Sequence, residues 1–321
     1  GYYAAKEKGF YDEVGLNVEI RQRDLKYNNI DEVINGNAQY GVADSILILY
    51  RLKQQPVVIV SPIFQHSPSV FISLKKSNIS SVYELNNKDI LFYPNDTDGF
   101  SLLAMIKKFD LDVNLVRERY KDDYMRLINN EVDVMPAYIA NEPFLFKEKG
   151  YDVNIINPTN YGFDMYGDML FTNEDEAKNN PIRVEKFKEA TLKGWKYALE
   201  NKEEIIQLIN EKYSKEKSIE HLRYEANAID SLINKDVTPL GYLDEGRIRY
   251  ISEMYKYYGL TESKIDLKDF LFDEISKKDK KLSLSDEEIK YLKDNPILKV
   301  HNFDSLPPYN FTLNNYPKGF V

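Results

Sequence analysis

Apolar residues recur at two spacings along this chain, and the two spacings take turns. Tyr3, Ala4, Ala5, Phe10 and Tyr11 follow the helical spacing, and Gly9 and Gly15 supply the left-handed stops that end helices. Leu16, Val18 and Ile20 then alternate with Asn17, Glu19 and Arg21, which predicts a strand with one buried face. After a polar link, a helix is expected from about Ile30 to Asn35 with Gly36 as its stop, then a strand over Tyr40–Ala43. Asp44 and Ser45 read as the N-cap of a helix over Ile46–Leu52. Val57 to Ile63, with Pro56 and Pro62 at its ends, is a continuous apolar run suited to a strand buried on both faces of a parallel sheet.

The alternation continues through a second region. A short capped helix is expected within Ser80–Leu85, strands over 88–93, 113–119, 132–138 and 153–156, and helices over 102–109, 122–129 and 141–149. The polar turn from Asp96 to Ser101 reads as a cap, because its two aspartates would repel an anion. NNEVDVMPAY mirrors NGNAQYGVAD of the first region: helix end, strand, then a polar residue at the strand's end. From Pro181 the chain is helical, with Val184, Phe187, Ala190, Leu192, Trp195 and Leu199 on one spacing, and further helices around Ile205–Ile209, Ile219–Ile233 and Asp244–Tyr258. Strand alternating with helix argues an α/β fold. A lysine-rich link over 276–282 precedes a tail in which Ser285 and Glu288 form a capping box and Pro296 stops the helix.

Composition narrows the function classes. A chain of 321 residues with 43% hydrophobic residues can bury a large core, and its 25 tyrosines suit an apolar surface that must also hydrogen-bond. A net charge of −9, with both signs interspersed, argues against nucleic-acid binding. The sequence has no cysteine, hence no disulfide and no thiolate nucleophile, and it shows no phosphate-binding loop, metal-ligand cluster or catalytic triad.

The opening GYYAAKEKGF, together with NGNAQYGVADS and QQPVVIVSPIFQHSPSVFIS, resembles the NMT1/THI5-like (SsuA/THI5-like) family of periplasmic binding proteins. The resemblance implies a two-lobed type II periplasmic-binding-protein fold over 1–275. Lobe 1 is expected at about 1–68 and 162–275 and lobe 2 at about 69–161, with the C-terminal helices buttressing lobe 1. In the family the GYYAA-type segment follows a first strand, so the chain, opening on Gly1 without Met, reads as lacking that strand. The tail, 283–321, resembles the start of a family-3 solute-binding domain, as in the periplasmic part of membrane sensor kinases; its strand is expected to find no sheet to join.

Open α/β sheets bind ligands at the carboxyl ends of their strands. The residues expected there are Asp44 and Ser45, then Gln65 and His66 where the chain leaves lobe 1, then Tyr138, Asn141 and Glu142 at the edge of lobe 2. Tyr2 and Tyr3 at the first helix and Asp168 in GFDMYGDML complete the set, with Asp168 as a partner for an amine. In the yeast pyrimidine synthases of the family a histidine near His66 is consumed, but those enzymes carry a cysteine-rich motif that this chain lacks. The resemblance therefore implies a non-enzymatic, cofactor-free, periplasmic binder of a thiamin-precursor pyrimidine or another small heteroaromatic or amine. Its expected setting is the input domain of a membrane-anchored sensor with a kinase or cyclic-dinucleotide output; the alternative is the substrate-binding subunit of an ABC transporter for a thiamin precursor or a sulfonate.

Overall fold

The computed structural model describes residues 1–22, 27–94, 98–117, 123–277, 290–291, 293–294, 305–306, 310–313 and 316–319. The chain divides into two units, Gly1–Ser276 and Lys277–Val321.

The larger unit opens with α1 (Tyr2–Glu7) and α2 (Phe10–Glu13), separated by Gly9 at φ 73°, where only a residue without a Cβ turns freely. Residues 16–22 join no ladder among the described residues. The predicted alternation is nevertheless real: Leu16 and Val18 pack against the Tyr11–Val58–Phe187 cluster, while Asn17 and Glu19 are exposed. Side-chain burial was legible there, whereas a strand needs a partner backbone as well.

Then follow α3 (Asn29–Ile34), capped by the Asn28 side chain, β1 (Tyr40–Ala43), α4 (Ile46–Leu52) and β2 (Val57–Pro62). Every residue of β2 is buried, as expected, but its ladder partner is antiparallel. The partner is β8 (Met169–Asn173), which also pairs antiparallel with β1, giving the order β1-β8-β2. The cause is connectivity. The chain leaves the first lobe along β2 and re-enters along β8, so the two must run opposite ways.

Between those crossings lies the second lobe. It contains β3 (Ser69–Leu74), β4 (Asp89–Leu91), α5 (Phe100–Lys108), β5 (Asn114–Val116), α6 (Asp123–Ile128), β6 (Met135–Tyr138), α7 (Glu142–Glu148) and β7 (Val153–Ile156). β3 sits between β6 and β7 with antiparallel pairing, β4 and β5 are parallel, and a parallel bridge at Ile90–Val134 links the two groups. The helix expected at 102–109 starts earlier, with Gly99 as its N-cap and no side-chain cap; residues 95–97 of the expected cap lie outside the described residues.

The chain then runs through β8 into α8 (Glu174–Asn179), α9 (Pro181–Glu200), α10 (Lys202–Leu208), α11 (Ile219–Ile233), α12 (Glu245–Tyr257) and α13 (Phe272–Lys277). Gly194 lets α9 lie directly on α1: a Cβ there would stand 2.4 Å from the Cβ of Ala5. The helices do more than buttress the first lobe. Tyr224 of α11 donates to the Ile139 carbonyl of lobe 2 at 2.9 Å, and Ser218 donates to Glu148 at 2.6 Å. One apolar cluster joins Leu47 and Ile251 on the first-lobe side to Phe71 and Phe100 of the second. Their reach across lobes follows from side-chain matching that helical periodicity does not encode.

In the smaller unit, β9 (Ser305–Leu306), β10 (Asn310–Leu313) and β11 (Tyr316–Gly319) form an antiparallel sheet in the order β11-β10-β9. The tail thus makes its own sheet, because consecutive strands need only short turns to pair. The capping box at Ser285 and Glu288 lies outside the described residues.

Candidate functional site

The two crossings lie side by side. The Asp168 carbonyl accepts the Ile63 and Phe64 N–H groups at 2.8 and 3.0 Å, and Gly167 donates to the Phe64 carbonyl at 3.1 Å. This pins Asp168 at the start of β8. Its carboxyl is pushed up to about 6, by burial first and then by the charge of Asp44. Asp168 has no hydrogen bond or ion pair from its side chain among the described residues.

Asp44 follows β1 and accepts the Ile46 N–H at 2.8 Å, so it does cap α4. Protein surrounds it, yet its carboxylate faces open space. Its pKa is raised, chiefly by burial, with the Ile46 N–H opposing and the charge of Asp98 adding. Asp98 lies just before α5, in the second lobe, so carboxylates of both lobes approach one cleft. That cleft, a narrow space of about 20 Å³ partly open to solvent, is lined by Asp44, Ser67, Ser69, Phe100, Ser101 and Tyr255. Burial, then the charge of Asp44, raises the Tyr255 phenol.

Tyr2 joins the same group. Its phenol is raised well above the ordinary value by burial, then by the charges of Asp168 and Tyr11, while the Trp195 indole acts the other way. The Tyr2 and Trp195 rings meet edge to face at 5.8 Å. Among the described residues neither the Tyr2 hydroxyl nor the Trp195 ring N–H meets full hydrogen-bond geometry, but the indole N–H acts on the phenol as a donor, so the two are near-partners of one another.

The other expected residues divide. Ser45 is buried and donates to the Tyr166 carbonyl at 2.7 Å, and the Gln65 amide donates to the Tyr242 carbonyl at 2.9 Å. His66 Nδ1 lies 2.8 Å from Asp164, which also pairs with Arg247 at 2.9 Å. These three hold the crossing in place. Tyr3 packs on Tyr213 at 4.2 Å and is not brought to the Asp44–Asp168 group. Glu142 accepts the Tyr138 N–H at 2.7 Å and the Asn141 amide at 3.0 Å, so its carboxylate braces its own turn. Tyr138 is 49% exposed. The Asn141 side-chain oxygen, by contrast, is a buried acceptor without a partner, and Ile139 beside it packs with Tyr2 and Trp195. Trp195, Tyr255 and Ser69 were missing from the sequence-based set. Helical spacing marked Trp195 only as core; that it is the one Trp of the chain was the available signal.

Among the described residues no group of three His, Cys, Asp or Glu could hold a metal ion, and no helix is long and apolar enough to cross a membrane.

Comparison with known proteins agrees with this geometry. The chain is similar to the sulfonate-binding protein SsuA of Methylobacillus flagellatus KT, with a TM-score of 0.66 at 18% identity over 92% of this chain and 90% of that one. It is also similar to the aliphatic sulphonate-binding protein SsuA of Escherichia coli, with a TM-score of 0.63 at 13% identity over 84% and 87%. At these identities the likeness establishes the fold, that of periplasmic binding proteins. In sequence it is 26% identical over 219 residues to the riboflavin-binding protein RibY of Chloroflexus aurantiacus, covering 64% of this chain and 60% of the relative. It is 24% identical over 212 residues to the formylaminopyrimidine-binding protein of Halalkalibacterium halodurans, covering 64% of each. The match therefore spans less than two thirds of either relative. The family model described as NMT1/THI5 like matches residues 1–205, well over half of the sequence, and with the fold and cleft above it shows that the chain belongs to the NMT1/THI5-like family.

Proposed function

We propose that residues 1–276 form an extracytoplasmic binding domain that closes on a small, flat, nitrogen-bearing ligand without transforming it. The observation that carries this reading is the pair Asp44 and Asp168: two carboxylates near enough to feel each other's charge, with Asp44 on the cleft wall, and without a cationic partner among the described residues. Removing a charge from water without a partner is costly. A ligand with amino or ring N–H donors supplies the missing counterpart. It also offsets the repulsion between Asp44 and Asp98, which favours closure through its differential affinity for the closed form. Tyr2, Trp195 and Tyr255 offer ring faces and polar edges to a flat ring, and Asn141 offers an acceptor from the second lobe. An aminopyrimidine meets this description, in line with the formylaminopyrimidine of one relative and the riboflavin of the other; a sulfonate does not, since the cleft carboxylates repel it.

The test is titration of the full chain with formylaminopyrimidine, riboflavin and taurine, followed by calorimetry and by Trp195 fluorescence. Saturable binding of an aminopyrimidine or flavin, recovered unchanged by mass spectrometry, is expected. Binding of taurine alone, or release of a modified ligand, would sink the reading.

Such a domain can deliver its ligand to a transporter or report it as the input domain of a sensor. The transporter reading is equally compatible with the fold; what supports the sensor reading is the resemblance of the tail to the start of a second solute-binding domain. In cells lacking the protein, ligand uptake is then unchanged while a ligand-dependent response disappears; loss of uptake would select the transporter role.

A further inference from the structure

The elements that line the cleft also line a second cavity on their other side. At α5, Phe100 and Ser101 at the N-terminus face the cleft, while Lys107 and Lys108 at the C-terminus reach the second cavity. In the returning crossover, Met165 and Tyr166 face the cleft and Phe163 faces the second cavity. On α12, Tyr255 faces the cleft, whereas Tyr250, Met254 and Tyr257, three and four residues apart, form one wall of the second cavity. Its volume is about 390 Å³, within the range of small-molecule sites.

Its walls are unusual for a surface. Tyr257 is 82% exposed and Tyr250 52%, although both rings lie along a groove. Tyr257 lies edge-on to Tyr258 at 5.0 Å, and the Tyr250 hydroxyl donates to the Gly162 carbonyl at 3.0 Å, which holds the Tyr250 ring in place before anything covers it. Lys108 donates to the Tyr161 carbonyl at 3.2 Å and stands over the Phe163 ring at 5.3 Å. Lys107 is exposed and has no ion pair or hydrogen bond among the described residues. Among the described residues, Glu253 is the one carboxylate in the lining, against two ammonium groups. The sign is opposite to that of the acidic cleft, in a chain whose net charge is −9.

We propose that this cavity is a second ligand site, separate from the cleft, which takes a flat aromatic anion such as an aromatic carboxylate. The ring lies against Tyr250 and Tyr257 over the Met254 floor, and the carboxylate meets Lys107. The tethered Tyr250 ring lowers the ordering cost of binding, and a partly desolvated ammonium–carboxylate hydrogen bond is among the stronger polar contacts.

The experiment uses 2-naphthoate, followed by its own fluorescence, with neutral 2-naphthalenemethanol as the control, on the full chain. Saturable binding of 2-naphthoate is expected, weakened at least about tenfold in both Tyr257→Ala and Lys107→Glu, each with an unchanged melting temperature. Asp168→Asn, which alters the cleft, should leave naphthoate binding as it is. Absence of saturable binding, indifference to both Tyr257→Ala and Lys107→Glu, or loss of binding in Asp168→Asn would each overturn the proposal. Equal affinity for the neutral alcohol would overturn its anionic specificity. None of these readouts depends on whether the cleft binds an aminopyrimidine.

Discussion

The two ends of β8 carry enclosed carboxylates in opposite circumstances. After the strand, Glu176 is 7% exposed and fully partnered. It accepts from the Tyr40 hydroxyl at 2.9 Å, from Arg183 at 2.7 and 2.5 Å and from Asn180 at 3.1 Å. Burial alone would raise its pKa, but Arg183, Tyr40 and Asn180 outweigh burial and hold it below the ordinary value. Before the strand, Asp168 has burial and the Asp44 charge acting on it with nothing to oppose them, and it is pushed up to about 6. One strand therefore separates a carboxylate whose charge the fold satisfies from one whose charge the fold leaves open. The first holds the first lobe together. The second costs stability, and on the proposed reading the ligand supplies its partner.

This contrast can be broken in several ways. The largest expected effect is at the satisfied end. Arg183→Met leaves Glu176 buried with its main counter-charge gone, and should lower stability by about 3 kcal/mol in urea unfolding while ligand affinity holds. A loss below about 0.5 kcal/mol would show that Glu176 is not the structural carboxylate described here. At the open end, Asp168→Asn should weaken aminopyrimidine binding by roughly 10- to 100-fold in calorimetry, the worth of a hydrogen bond to a charged group, without lowering the melting temperature. Unchanged affinity would remove Asp168 from the site.

The pH dependence separates the ends by sign. The folded pKa of Asp168 lies above its unfolded value, so its contribution is fully present below about pH 4 and is lost as pH rises toward 6. Glu176, depressed in the fold, contributes in the opposite sense: its stability is present above the ordinary Glu range and lost as pH falls through the depressed value. Wild type minus Asp168→Asn should therefore lose about 2 kcal/mol between pH 4 and pH 7. A flat difference across that window would contradict the unpartnered state of Asp168. A smaller step at the satisfied end is Tyr40→Phe, which removes one of several hydrogen bonds to Glu176 and should cost about 1 kcal/mol. Smallest of all is truncation before Lys281, which touches neither end of β8. The melting temperature of the rest should stay within error, and a marked drop would mean that the tail contributes to the larger unit.

Asp44, Asp168, Tyr2 and Asn141 of the proposed site are already candidates on the sequence. Asp44 stood out because a polar pair after a short strand and before an apolar helix reads as a helix cap, and the family resemblance implies that this cap faces the cleft. Asp168 stood out less clearly, since a carboxylate in a loop is usually solvated. Tyr138 and Glu142 were read as ligand groups from their place in the chain, but whether a carboxylate is free or bracing its own turn is decided over a few ångströms. Here one Glu142 oxygen accepts the Tyr138 N–H within its own turn.

The sequence by itself determined the periodic elements and their order. Tyr40–Ala43, Ile46–Leu52, Val153–Ile156 and Ile219–Ile233 have the bounds that apolar spacing, caps and stops assign to them, because those signals act within a few residues of chain. It also determined the alternation of lobes, through the mirrored helix–strand segments. Only the tertiary structure decided that β2 pairs antiparallel with β8, that residues 16–22 bury one face without a ladder, and that α11 reaches the second lobe. Each depends on a partner 70 or more residues away or on a partner backbone that local pattern cannot specify, since register and pairing are set by which faces must be buried together. The same holds for the carboxylates. Their positions are written in the chain, but their burial, their mutual charge and the presence or absence of a counter-ion exist only once distant segments meet.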